Sequence, residues 1–204
     1  MALLDDYLPL ISHTIIALED PETSAVSLRQ TLIQLRDTVY HLNSQGNNSR
    51  EDVRSACSAI FICLDEIILC SGHRMAEDWH QRPLQKEIHG NSLGGIHFFQ
   101  QLEEISDNND ELRVVYLFCL FVGYKGRYIT EDHHVLDDII DRHVQKLPGE
   151  YAQSLYNGKT PAWNSRPPVT NTRKKKLSLR LLIVLAVSIT YLIMNLLLII
   201  YPPL

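Results

Sequence analysis

The sequence predicts an all-α protein, a helical body followed by one C-terminal apolar helix. Three observations carry this. Apolar residues recur at spacings of three and four through residues 3–146, the period of a helix face. No stretch alternates apolar and polar cleanly enough to mark a strand. Residues 181–201, LLIVLAVSITYLIMNLLLIIY, form a 21-residue run without charge, interrupted only by Ser188, Thr190 and Asn195.

In chain order, residues 3–18 form a first helix with Leu4, Leu8, Ile11 and Ile15 on one face, ending before Asp20-Pro21. Residues 24–42 form a second, striped by Leu28, Leu32, Leu35 and Val39, which stops at a polar loop over 43–48. Ser49 then suits an N-cap with Asp52 in the first turn. The third helix runs to about Ser71 and buries Val53, Cys57, Ile60, Phe61, Leu64 and Ile68. Gly72 breaks it, Trp79 stands among polar residues, and Pro83 starts a short helix closed by Gly90. Residues 92–105 form the next helix, with Phe98, Phe99 and Leu102 on its apolar side. Residues 107–122 read as a helix ending at Gly123, although Val-Val-Tyr-Leu-Phe also suits a buried strand. Thr130 caps a last amphipathic helix to Lys146, with Val135, Leu136, Ile139, Ile140 and Val144 inward. Residues 147–180 form a Pro-rich and then basic linker.

The tail changes the meaning of the composition. The 204 residues carry a formal charge of −5 and are 45% hydrophobic, values of an ordinary soluble domain. Residues 173–204, however, hold five basic groups and no acid, so residues 1–172 carry 14 basic against 24 acidic groups, a net of −10. At ~1.5 Å per residue the apolar run reaches about 31 Å, the thickness of a hydrocarbon core. It is expected to cross a membrane, because a core helix rarely runs so far without charge. Arg173, Lys174, Lys175, Lys176 and Arg180 precede it, which keeps residues 1–172 in the cytoplasm, and Tyr201 suits the interfacial belt. Residues 202–204 are then a periplasmic stub. The acidic N-terminus MALLDDYLPL is not a secretory leader, which opens with positive charge.

Few residues invite chemistry. Cys57, Cys63, Cys70 and Cys119 lie in apolar helical stretches without a C-x-x-C pair, as expected of reduced core thiols. His134 and Asp138 share a face at i, i+4, beside His133 and Asp137, but spacing fixes no third ligand. Nucleophile elbow, P-loop and zincin motifs are all missing, so neither catalysis nor a cofactor is expected. Asp65-Glu66 interrupts the apolar third helix, and neighbours ~100° apart place at least one near its buried face. Two roles stay open for the pair: hydrogen bonding to loop amides or pairing with Arg74 or Lys125, and contact with a partner at a docking surface. An acidic body favours basic partners and disfavours nucleic acid.

Four segments in order carry a resemblance: CLDEIILCS over 63–71, Trp79, RPLQKEIHGNSLGGIHFFQQL over 82–102, and ELRVVYLFCLFVGYKGRY over 111–128. Together they resemble the DotU/TssL family of type VI secretion systems, related to the IcmH/DotU proteins of type IVB systems; His89 and His97 depart from the pattern. The resemblance implies a cytoplasmic domain over 1–146 of two small three-helix bundles shaped like a hook, tethered to the bacterial inner membrane. It implies a scaffold that joins an IcmF/TssM-type protein in the membrane complex and recruits the baseplate. Carried over, Asp65 and Glu66 become candidates for partner contact. Trp79, Pro83, Leu84 and Gln85 would shape the adjoining loop, Gly94, Gly95, Phe98 and Phe99 a tight helix contact, and Gly123, Tyr124, Gly126 and Tyr128 a structural turn. Some relatives add a peptidoglycan-binding domain after the anchor, which residues 202–204 cannot supply. A homodimer through the anchor would use Ser188, Thr190 and Asn195, since G-x-x-x-G is lacking. Alternatives from other classes are a tail-anchored helical regulator, a fusion protein, disfavoured because the Pro-rich linker separates body from anchor, and a metal hydrolase built on His133, His134 and Asp138.

Overall fold

The computed structural model describes residues 3–44, 48–90, 93–130, 133–149 and 151. The chain falls into two compact units, 1–165 and 166–204, and every described residue lies in the first. The linker beyond residue 151, the basic collar and the expected membrane span at 181–201 lie outside the described residues. Among those described, no helix is long and apolar enough to cross a membrane.

The described residues are helical and contain no strand. In order they form α1 (Leu3–Glu19), α2 (Ala25–Asn43), α3 (Arg50–Cys70), α4 (Ala76–Gln81), α5 (Leu84–His89), α6 (Gly94–Glu104), α7 (Asp110–Phe121), a 3-10 turn (Gly126–Thr130) and α8 (His133–Val144). Side-chain caps set several starts. Ser24 accepts from the amide of Ser27, Ser49 from Asp52, and Asn109 from Leu112, each satisfying a donor the helix leaves unpaired. Gly90 closes α5 at φ 68°, the left-handed conformation that glycine adopts without a Cβ penalty.

The body is organised around α3. Residues 56–65 are buried without interruption, so this helix is apolar all round rather than on one face. It packs against α1, α2, α4, α5, α6 and α7. Complete burial of an aliphatic or aromatic side chain contributes about 1.5–3 kcal/mol, and α3 supplies Ile60, Phe61, Leu64 and Ile68 to one continuous core. Trp79 of α4 and Tyr116 of α7 are also wholly buried there.

Several sequence expectations change at this point. The segment over 107–122 is a helix, which removes the strand alternative. On α1 the buried residues are Leu3, Tyr7, Leu10, Thr14 and Ala17, not the stripe of Leu4, Leu8, Ile11 and Ile15. Both stripes step 4-3-4 along the helix, so periodicity cannot rank them. The inner one carries Tyr7, whose hydroxyl donates to the carbonyl of Val53, and Thr14, whose hydroxyl is satisfied by the carbonyl of Leu10. Val135 points outward from α8 because Leu136, Ile139 and Ile140 fill its inner face. Cys57, Cys63 and Cys119 are buried free thiols, but Cys70 is exposed at the last turn of α3, where the helix leaves the core. Thr130 ends the 3-10 turn instead of capping the last helix, which starts at His133. The helix α4 has no apolar period, being held mainly by Trp79.

A second buried polar contact fixes α8 to α7. Arg113, wholly buried, donates to the carbonyls of Ile105 and Ser106 at 3.1 and 2.9 Å, and to Nδ1 of His143 at 2.8 Å. A guanidinium cannot accept, so Nδ1 is the lone pair and the imidazole hydrogen sits on Nε2. That atom faces Glu103 at 3.6 Å. Burial holds His143 below the usual histidine range, with Glu103 pulling the other way. A histidine depressed in the folded state stabilises the fold above its unfolded pKa, and that contribution is lost as pH falls. Thermal unfolding of the full chain in detergent is therefore expected to start earlier at about pH 5.5 than at about pH 7.5, the unfolded imidazole titrating near ~6.5. In His143→Gln this difference shrinks; an unchanged difference would remove His143 as its source.

Candidate functional site

The four segments singled out in the sequence meet at the C-terminal end of α3. Asp65 and Glu66 leave the helix in different directions, and each carboxylate takes hold of a separate loop. Asp65 is 1% exposed. Its Oδ1 accepts from the indole Nε1 of Trp79 at 2.8 Å and the amide of Leu84 at 2.7 Å, and its Oδ2 from the amide of Gln85 at 2.9 Å. Leu84 and Gln85 are the first residues of α5, and Pro83, its N-cap, offers no side-chain acceptor. Asp65 thus caps α5 from another helix, with its charge at the positive end of the helix dipole.

Glu66 does the same for the turn after α7. Its Oε1 accepts from the amide of Lys125 at 2.8 Å and its Oε2 from that of Gly126 at 2.9 Å. Lys125 meets Glu66 through its backbone amide, with its ammonium charge a weaker influence on the same carboxylate. The turn has little room: Gly126 has φ +50°, and a Cβ there would come 2.5 Å from Oη of Tyr124 and 3.1 Å from the ring of Phe99.

The remaining motif residues join the two loops. Oε1 of Gln85 accepts from the amide of Gly94 at 2.8 Å, and a Cβ on Gly94 would overlap that oxygen and come 2.9 Å from Cγ1 of Ile62. On Gly95 a Cβ would lie 3.2 Å from the amide nitrogen of Arg127, so α6 rests directly on the 3-10 turn. Phe98 and Phe99 then enter an aromatic cluster. The ring of Phe98 lies 4.5 Å from Tyr124 and 4.8 Å from Tyr116, and Phe99 meets Tyr128 edge-on at 4.7 Å. Gly123, at φ 106°, permits the sharp exit from α7.

Sequence reasoning missed Arg29. It lies on α2, outside every matched segment, yet its guanidinium sits 4.5 Å from the centroid of Trp79, a cation–π contact. Nothing in the spacing of a polar helix face distinguishes it from other arginines. His89 ends α5 and His97 falls within α6. Among the described residues no group of three His, Cys, Asp or Glu could hold a metal ion.

Electrostatics are those of buried anions held by amides. Burial pushes Asp65 above the usual carboxylate range, while the amides of Gln85 and Leu84 and the indole of Trp79 pull it back. Burial likewise raises Glu66 against the amides of Lys125 and Gly126. A carboxyl raised in the folded state gains rather than loses folding stability as pH falls through that pKa, so this pair works against the acid sensitivity of His143. With every carboxylate oxygen engaged by an amide or indole, the arrangement locks loops together rather than holding a reacting group.

The family model of the type VI secretion system protein DotU matches residues 2–201. Among solved structures the chain is similar to the cytoplasmic domain of TssL from Acinetobacter baumannii, at 22% identity and a TM-score of 0.61, covering 76% of this chain and 99% of that one. At this identity the likeness speaks for the fold. A search of curated proteins finds no match.

Two substitutions follow from the geometry. Asp65→Ala strands three buried donors and is expected to cost about 3 kcal/mol or more, read as a lower denaturation midpoint with a red-shifted Trp fluorescence as Trp79 becomes wet. Gly126→Ala, strained in φ and crowded by Tyr124, is expected to cost about 1–3 kcal/mol. A midpoint equal to wild type in either variant would contradict the contacts described.

Proposed function

The chain belongs to the DotU family of type VI secretion proteins, and from that premise we propose a membrane-tethered scaffold that links the secretion membrane complex to the cytoplasmic baseplate. In this reading residues 1–146 are a cytoplasmic body of two small three-helix bundles shaped like a hook. Residues 147–180 are the linker, 181–201 span the inner membrane, and 202–204 lie on its periplasmic side. The partners are an IcmF/TssM-type inner-membrane protein and baseplate proteins. The acidic body disfavours nucleic acid as a ligand, and the role read here is structural rather than enzymatic.

The observation that carries the reading is the match to DotU over residues 2–201, which includes both the helical body and the 21-residue uncharged run. A run of that length suits a bilayer core, and the preceding basic residues favour a cytoplasmic body. The mutual packing of α1, α2 and α3 supports one bundle, and the packing of α8 on both α7 and the 3-10 turn supports the second. The body's net charge of −10 over residues 1–172 favours partners with basic surfaces.

Partner contact is proposed at the loops that Asp65 and Glu66 hold. Asp65, Trp79, Pro83 and Leu84 are buried, Glu66 and Gln85 partly so. Their contribution to docking is to set the position of what faces outward from the same loop: Arg82, Lys86 and Glu87. Rigid loops of this kind lose little conformational entropy on binding.

Co-purification of the full chain in detergent with its membrane-complex and baseplate partners tests the reading, and reproducible absence of both classes would overturn it. Arg82→Ala with Glu87→Ala should lower partner recovery on the order of tenfold while the melting temperature is kept; unchanged recovery would move docking away from this loop. Protease added outside spheroplasts should leave residues 1–172 intact, and cleavage there without lysis would reverse the topology.

A further inference from the structure

The stripe that α1 does not bury is itself ordered. Leu4, Leu8, Ile11, Ile15 and Leu18 step 4-3-4-3 along the helix. Leu4, Ile11 and Leu18 are partly covered at the edge of the core. Leu8 is 40% exposed, Ile15 51%, and Ile16 beside it 62%. Single exposed aliphatics are common on protein surfaces, but several in register on one helix mark a contact face. Their spacing is that of a helix–helix seam, which fits an α-helix laid alongside better than an extended strand or a small molecule.

The charges around the stripe select what covers it. The helix α1 contains no Lys or Arg and has no basic residue in its last turn. Asp5 and Asp6 suit the positive end of its dipole, but Glu19 sits at the negative end, with Asp20 and Glu22 just beyond. The amide of Glu22 and the hydroxyl of Thr23 hold Asp20 below the usual carboxylate range. Arg74 pairs with Glu22 at 3.0 Å and, with His73, acts more weakly on Asp20. A shallow recess of about 200 Å³ between α1 and α2 opens beside Ile16, with His13, Asp20, Ser27 and Thr31 in its wall.

We propose that this face of α1 docks an amphipathic α-helix of a partner protein whose apolar stripe is flanked by Lys or Arg. Pairing of this face with the same face of a second copy is disfavoured on charge. Two α1 helices packed parallel would oppose Asp5 to Asp5 and Glu19 to Glu19, and antiparallel Asp5 to Glu19, so either α1-on-α1 arrangement sets acids against acids. An anionic bilayer surface repels the same rim. None of the stripe residues belongs to the loops held by Asp65 and Glu66, and the proposal stands whether or not those loops dock a partner.

The test titrates the full chain, in detergent, into a labelled synthetic helical peptide with Leu and Ile at the seam positions and Lys at the flanks. A control peptide carries Glu in place of Lys. Saturable anisotropy change with the Lys peptide, about tenfold weaker or absent with the Glu peptide, and weakening with added salt, are expected. Leu8→Ser with Ile15→Ser should weaken binding by about tenfold or more at an unchanged melting temperature. Equal binding of the two peptides, no saturable binding of the Lys peptide, or full binding by the double variant would overturn the proposal. Hydrogen exchange over residues 4–18 of the chain in nanodiscs adds the other occupants. Protection without peptide that grows with protein concentration would assign the face to a second copy, and protection that depends on anionic lipid to the membrane; either result overturns it.

Discussion

The described body depends on two adjacent carboxylates near the end of one helix, Asp65 buried and Glu66 half-buried. Between Trp79 and the 3-10 turn the chain makes sharp reversals around α5, α6 and the exit of α7, and the amides freed at these reversals need acceptors away from water. Asp65 and Glu66 supply them from α3, the helix on which α1, α2, α4, α5, α6 and α7 pack. Each loop is therefore positioned first by the core. Gln85 and Gly94 then couple one loop to the next.

Placing an anion in a core is costly, since desolvation of a carboxylate amounts to several kcal/mol even after relaxation. Three N–H donors on Asp65 and two on Glu66 offset that cost, and they do so without a buried countercharge within hydrogen-bonding distance of either group. Arg29 contributes from the side, stacked on the indole that Asp65 holds. A neutral side chain at either position would be easier to bury, but it would bind these amides less strongly than a charge-assisted acceptor does. The buried charges are thus explained by the backbone they organise. The contact of Arg113 with neutral His143 serves the same purpose for α8, with the opposite response to acid.

Helices of this body were legible in the sequence where the apolar residues form a single stripe or an unbroken run. On α2 and α6 the spaced residues Leu28, Leu32, Val39, Phe98, Phe99 and Leu102 are buried, with Leu35 only partly covered, and on α3 the expected Val53, Cys57, Ile60, Phe61, Leu64 and Ile68 are buried together with most of their neighbours. Legibility failed where two stripes compete, as on α1, where the outer stripe read as the core face and the inner one with Tyr7 was buried instead. It failed also at α4, which has only Trp79 to bury and is too short for a period to register. Asp65-Glu66 stood out because charge interrupts an apolar run, yet its partners come from residues 14 to 60 positions away. No local pattern encodes such distances.

What the sequence determined by itself is therefore helical content, the capped start of α3, the asymmetry between an acidic body and a basic, apolar tail, and the family to which the ordered segments point. These are set by neighbours within a few positions or by composition, which hydrophobic period, capping chemistry and charge express locally. Tertiary structure decided which face of α1 turns inward, that Asp65 and Glu66 bind loop amides, and that Arg29 joins Trp79. Those outcomes rest on contacts between distant segments, where burial removes water and each polar group must find its partner across the fold.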